Sequence, residues 1–395
     1  MRTLQSSLLA SVALMGGFAA QAADLPAKQA APANNVLACP AMGAGFFTIP
    51  GSETCIAFSG YVRNRISDQV IGGTVSNLYA PFKADVTFRL NTDVRSNTEI
   101  GVVRGFARMT STYATVPSST LTVTNGSSYL NLAYIQFSGL SVGLQDSYFL
   151  GSNSTGATII TTDDGGSGNL TDSAAYTAGT TTSIGYSQSF VNGLSFGLAL
   201  EDAEVRHGRT SSTYYGVAQI PDVVGKATYV SGPLTLSAMG ASHQNTGLTS
   251  GSIMGYAGQT YMKYTISPET QIFAQATYAY GAMSYLGVKD LILVDHKDAT
   301  LGGGSVADGY NLVGGIIQKF GPGNIQLVGS RGTATSDLVT STAGVATMAT
   351  QGEINYDWSP VKNLKVIPAF AYTEKETKGA VTNSGSFRLT IRRDF

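Results

Sequence analysis

Ser384–Phe395 reads SGSFRLTIRRDF. In an extended chain Phe387, Leu389, Ile391, Arg393 and Phe395 share one face, and Ser386, Arg388, Thr390, Arg392 and Asp394 share the other. A period of two marks a β-strand, here with one largely apolar face and one charged face. A soluble, half-buried strand carries the same alternation with its polar face in water. The opposite arrangement turns the apolar face to lipid and the charged face to an enclosed lumen. The rest of the chain separates the two.

Working outward, 193–201 (GLSFGLALE) sets Leu194, Phe196, Leu198 and Leu200 against Ser195, Gly197 and Ala199. A bulky apolar face opposite a small one is the pattern of an inverted protein, greasy outside and wet inside. In 84–94, Val86, Phe88 and Leu90 oppose Asp85, Thr87, Arg89, Asn91 and Asp93. Sixteen such segments follow one another: 56–67, 84–94, 98–109, 128–138, 140–149, 180–190, 193–201, 222–231, 233–242, 257–267, 269–281, 309–320, 322–332, 348–358, 364–374 and 384–395. Seven short connections holding Gly, Asn and Pro alternate with eight long ones rich in Gly, Ser, Thr and Asn. Strict alternation of tight turns and long loops predicts an all-β fold, a transmembrane antiparallel up-and-down β-barrel of sixteen strands. The turns then face the periplasm and the long loops the outside.

Composition agrees. Only 12% of the 395 residues are charged, with 20 Tyr, 16 Phe, one Trp and 47 Gly, and the formal net charge is −1. That balance gives no basic footprint for nucleic acid. No linker-like stretch interrupts 56–395, which predicts one large sheet. Residues 1–22 read as a signal peptide: Arg2, an apolar run from Leu8 to Ala20, and an Ala20-Gln21-Ala22 cleavage site. Residues 23–55 form an Ala- and Pro-rich periplasmic lead-in. Export to an oxidising compartment predicts a disulfide between Cys39 and Cys55. Tyr79, Phe82, Tyr148, Phe149, Phe190, Tyr229, Tyr264, Trp358, Tyr372 and Phe395 sit near strand ends, as interfacial aromatic girdles do. His207, His243 and His296 are all expected in outer loops, with no metal-ligand spacing and no catalytic triad, so neither a metal, a cofactor nor an enzyme activity is expected.

Cys39–Arg65, CPAMGAGFFTIPGSETCIAFSGYVRNR, resembles the opening of the alphaproteobacterial porin family. Ala23-Asp24-Leu25-Pro26, the strand Ala133–Phe137 and the ending on Phe395 are similar to it as well. The resemblance implies a homotrimer of sixteen-stranded barrels in the outer membrane of a Gram-negative cell, passing small hydrophilic solutes and ions. It also implies that the third long loop, 150–179, folds into the barrel. The chain departs from the family at Leu144, where an arginine is usual, and at Arg393, where an aromatic is usual.

Strand parity places Arg63, Arg65, Arg89, Arg104, Arg108 and Arg388 on inward faces. An arginine toward lipid near mid-membrane costs about 2–4 kcal/mol, which enforces that placement. The expected pore constriction sets these arginines against Asp163, Asp164 and Asp172 of the infolded loop. A channel selective for a sugar or an anion is the nearest alternative, with saturable flux as its mark. A structural adhesin barrel is a third, with no conductance.

Overall fold

The computed structural model describes residues 37–71, 82–114, 125–150, 179–205, 218–247, 251–286, 307–338, 342–377 and 379–395. A two-residue strand, β1 (Phe47–Thr48), precedes the barrel. The barrel strands are β2 (Cys55–Ile71), β3 (Phe82–Thr98), β4 (Gly101–Ala114), β5 (Asn125–Phe137), β6 (Leu140–Asp146), β7 (Thr180–Ser189), β8 (Leu194–Glu201), β9 (Asp222–Ser231), β10 (Leu234–Gly247), β11 (Gly251–Ser267), β12 (Thr270–Tyr280), β13 (Asp308–Phe320), β14 (Gly323–Leu338), β15 (Thr342–Val361), β16 (Leu364–Thr377) and β17 (Ala380–Asp394). Each pairs antiparallel with its neighbours in sequence. The sheet closes where β17 pairs with β2, from Gly385 opposite Ile71 to Asp394 opposite Tyr61. All sixteen expected strands are present, one for one. Closure leaves no exposed edge, so every central strand finds two partners for its backbone.

The tight connections form as their residues dictate. Ser138 and Gly139 both have positive φ, 46° and 85°, between the paired residues Phe137 and Leu140. A two-residue hairpin of this hand needs positive φ at both central positions. Three connections expected as long loops are instead mostly strand. β10 runs to Gly247 and β11 starts at Gly251; β14 runs to Leu338 and β15 starts at Thr342; β16 and β17 meet within 377–380. Gly, Ser and Thr obscure strand pattern in sequence, but a ladder already begun continues wherever the partner offers backbone groups.

The barrel is inside out. Phe196, Leu198 and Leu200 are 49%, 58% and 48% exposed on the outer surface, whereas Ala199 between them is 1% exposed. The same parity holds around the sheet: Phe58, Val62, Val86, Phe88, Leu312 and Leu327 face out, while Tyr61, Arg63, Thr87, Arg89 and Gln326 are buried inside. Phe190, Tyr229, Tyr264, Trp358 and Phe395 are exposed on the outer surface at the rim of the tight turns. Tyr148 and Phe149 are not part of that girdle. β6 ends at Asp146, three residues before the expected end, and the chain turns inward; Phe149 is wholly buried within the barrel. Tyr79 and the Phe82 side chain lie outside the described residues, as do the signal peptide and the lead-in up to residue 36.

At the mouth lined by tight turns, the Cys39–Cys55 disulfide is formed. Ala38 bridges to Phe47, and β1 pairs with the start of β2. Met42, Phe46 and Cys55 make a small buried cluster against Ala57. Arg95 on β3 holds this cap, donating to the Met42 carbonyl at 2.9 Å and lying 4.6 Å from the Phe46 ring centroid.

Candidate functional site

The lumen wall is built by register. Across the seam Arg392 stands opposite Arg63 and Thr390 opposite Arg65. On the next strand Tyr61 stands opposite Arg89, Arg63 opposite Thr87 and Arg65 opposite Asp85. Strand alternation turns all of these inward, so three strands deliver one basic patch. Like charges directly opposite one another are unfavourable. The patch offsets this with one aromatic ring and three carboxylates. The guanidinium carbons of Arg392, Arg89 and Arg63 lie 4.2, 5.1 and 5.8 Å from the Tyr61 ring centroid. All are within cation–π range.

Ion pairs complete it. Arg65 Nε donates to Asp85 at 2.7 Å, and Arg63 lies 3.6 Å from the same carboxylate. Arg63 donates to Thr87 at 2.9 Å and Arg89 to Thr110 at 3.2 Å. Arg388 reaches Glu353 on β15 at 3.3 Å, and Arg392 donates to Asp394 at 2.6 Å. Among the described residues of this patch, five arginines meet three carboxylates, Asp85, Glu353 and Asp394. Arginine suits the task because it keeps its charge at every working pH and its planar fork holds several bonds at once.

The structure brings Arg63, Arg65 and Arg89 together, with Arg388 continuing the wall on β17. It does not bring Arg104 to them. Arg104 pairs with Asp93 at 2.9 Å and donates to Gln136 at 2.9 Å, nearer the tight turns. Arg95 shares that carboxylate at 2.8 Å. Arg108 lies between the two groups and donates to Asn91 at 2.9 Å. Leu144 faces outward, since its neighbours Gly143 and Gln145 hold the inward register, so the departure there leaves the lumen untouched. Arg393 also faces out, donating to the Lys362 carbonyl at 2.7 Å at the tight-turn rim. Asp163, Asp164 and Asp172 lie outside the described residues.

The opposite wall holds the start of the third long connection. The Ser147 hydroxyl donates to Glu201 at 2.8 Å, and the Tyr148 N–H donates to the same carboxylate at 2.8 Å. Lys226 donates to the Leu150 carbonyl at 2.9 Å and Gln259 to the Phe149 carbonyl at 3.2 Å. Side chains of β8, β9 and β11 thus draw residues 147–150 into the lumen. Phe149 joins a buried cluster with Val224, Met239, Tyr261, Phe273 and Tyr285.

His243 corrects an expectation. It is no outer-loop residue but lies in β10, fully buried, with Nδ1 2.8 Å from Asp222 Oδ1. Its strand extends beyond the apolar pattern, which hid it. Glu201 and Asp222 are likewise fully buried, and neither stood out in sequence because acids at a strand end read equally well as the start of a solvated loop. No group of three or more His, Cys, Asp or Glu among the described residues has metal-binding geometry.

Residues 24–390 match the family described as "Porin subfamily". Porin Omp2b of Brucella suis biovar 1 (strain 1330) is 33% identical over 239 residues, 58% of this chain and 63% of the relative. The match therefore spans less than two thirds of that relative's length. Porin Omp2b of Brucella canis is 32% identical over the same extent, 239 residues. Among solved structures, the outer membrane channel DcaP of Acinetobacter baumannii superposes with a TM-score of 0.66 at 17% identity, over 87% of this chain and 98% of that one. An anion-selective porin from Comamonas acidovorans superposes with a TM-score of 0.56 at 12% identity, over 87% of this chain and 100% of that one. At these identities the structural likeness is one of fold. With a closed sixteen-stranded barrel and a family match across nearly the whole sequence, the chain belongs to the porin family.

Proposed function

We propose that this chain forms a water-filled pore in the outer membrane of a Gram-negative cell, through which small hydrophilic solutes and ions diffuse passively. One observation carries this: a closed barrel with an apolar outer surface and arginines turned inward. A barrel of sixteen strands encloses a lumen wide enough for water. The constriction lies between the arginine wall and the inward-folded start of the third long connection. Asp163, Asp164 and Asp172 set an acidic edge against Arg63, Arg65 and Arg89. The resulting transverse field orients polar solutes and retards apolar ones.

The same pore assembles as a homotrimer. The outer face of β4 presents Gly101, Val103, Gly105 and Ala107, small residues that let a second copy approach closely. One fold relative, OmpT of Vibrio cholerae, is described in a trimer form. Residues 1–22 direct export and are removed. The test is a planar lipid bilayer. Purified, refolded protein gives ohmic channels whose conductance follows salt concentration; folded protein that stays silent sinks the proposal.

A further inference from the structure

Among the described residues, the connection after β12 sends its first residues into the lumen as the third long connection does. After β12, Gly281 turns the chain inward with φ of 62° and donates to the Ala307 carbonyl at 2.7 Å. A single 3-10 turn, Met283–Tyr285, follows. Tyr285 and Leu286 are wholly buried and Met283 nearly so. This foot of the sixth long connection lies beside the foot of the third.

The wall is recessed for both feet. A Cβ on Gly309 would stand 2.9 Å from Leu286 Cδ2 and 3.0 Å from Met283 Cε, and one on Gly255 would overlap the Gly281 carbonyl. For the third connection, a Cβ on Gly185 or Gly197 would stand 2.6 or 2.9 Å from the Tyr148 ring. The feet then meet: Phe149 and Tyr285 pack edge to face, centroids 4.8 Å apart at 68°. Beneath them lies a polar floor. The Tyr285 hydroxyl donates to Asp222 Oδ2 at 2.7 Å, and His243 holds the other oxygen of that carboxylate at 2.8 Å. Asp222 stands directly opposite Glu201, the carboxylate that holds Ser147 and Tyr148. Both feet therefore hang on adjacent acids of one wall.

We propose that the foot of the sixth connection, centred on Tyr285, is a second positioning element of the channel. By packing on Phe149 it holds the inward-turned chain at 147–150 against the wall, and so sets the free cross-section left beside the arginines. Tyr285 and Phe149 are both fully buried and touch no passing solute, so the pair acts by seating the inward-turned chain at 147–150. A packed aromatic pair of this kind has few alternative arrangements, which keeps the opening at one width. This inference rests on the channel function proposed above.

The test compares full-length wild type, Tyr285→Phe, Tyr285→Ala, Phe149→Ala and the double alanine variant in planar bilayers, each first shown to be a heat-resistant folded barrel. Tyr285→Ala is expected to raise single-channel conductance by about 1.5-fold and to add open-channel noise, as a widened constriction does. Tyr285→Phe keeps the ring and restores wild-type conductance, with excess noise from the lost bond to Asp222. The double variant gains no more than the larger single one, because both residues form one seat. Wild-type conductance and noise in folded Tyr285→Ala, or strictly additive effects in the double variant, overturn the inference. If Tyr285→Ala yields no folded barrel, Tyr285→Phe decides: excess noise supports the inference and wild-type noise overturns it. A silent wild type removes the channel function and this inference together, whereas a conducting wild type with unaltered variants removes the inference alone.

Discussion

Phe395 and Gly60 exchange backbone hydrogen bonds across the seam, 3.0 Å from the Phe395 N–H to the Gly60 carbonyl and 3.1 Å in return. The Phe395 ring also stacks on Phe88, centroids 6.2 Å apart. A Cβ on Gly60 would stand 2.8 Å from the ring tip and overlap the Arg89 carbonyl. The last strand is thus seated on the first by a residue that has no side chain.

Replacing that residue strains the seam. Gly60→Val is expected to destabilise the barrel by about 1–3 kcal/mol, the usual penalty of overpacking. The urea midpoint of unfolding from lipid vesicles measures it. An unchanged midpoint means that the Phe395 seat is loose.

The arginine wall is expected to govern ion preference. Arg63→Gln with Arg89→Gln removes positive charge from the lumen, so the zero-current potential in a salt gradient moves toward cation preference. Asp163→Asn with Asp164→Asn moves it toward anions. Both shifts shrink in strong salt, where charges are screened within a few ångströms. A pair of variants that leaves the potential in place does not line the narrow part of the pore.

Leu198 tests which side faces lipid. It is 58% exposed on the outer surface, midway along β8. Leu198→Arg is expected to cost about 2–4 kcal/mol in a bilayer if it lies near the midplane. Equal stability of variant and wild type on refolding into vesicles contradicts the lipid-facing assignment.

The disulfide secures the cap rather than the barrel. Cys39 and Cys55 are 16 residues apart, and closing a loop of that size contributes about 3 kcal/mol in the chain-entropy account. The cap's own cluster is only Met42, Phe46 and Cys55 with Cys39 and Ala57. Reduction is therefore expected to open residues 39–54 to protease while β2–β17 stay resistant. Equal protection before and after reduction shows that Arg95 and the cluster hold the cap unaided.

Much of this was legible from local pattern. Alternation in 56–67, 84–94, 98–109 and 384–395 placed Arg63, Arg65, Arg89, Arg104, Arg108 and Arg388 on inward faces, and the structure has each of them there. Strand ends in Gly, Ser and Thr were not legible, since a continuing ladder needs backbone partners and no particular side chain. Tyr148 and Phe149 misled for a related reason. An aromatic at a strand end fits the membrane interface equally well, and only Gly185, Gly197, Glu201 and Gln259, distant in sequence, draw these two inward.

By itself the sequence determined that the chain is a barrel and which face of each strand is wet, because a two-residue period and a choice of turn residues are local properties. The tertiary structure alone decided which inward residues meet. Arg63 and Arg392 face one another only because the first and last strands pair. Asp222, His243 and Tyr285 converge only because β9 and β10 are neighbours and the sixth connection turns inward. Register and closure are long-range hydrogen-bonding outcomes, and they set the shape of the lumen.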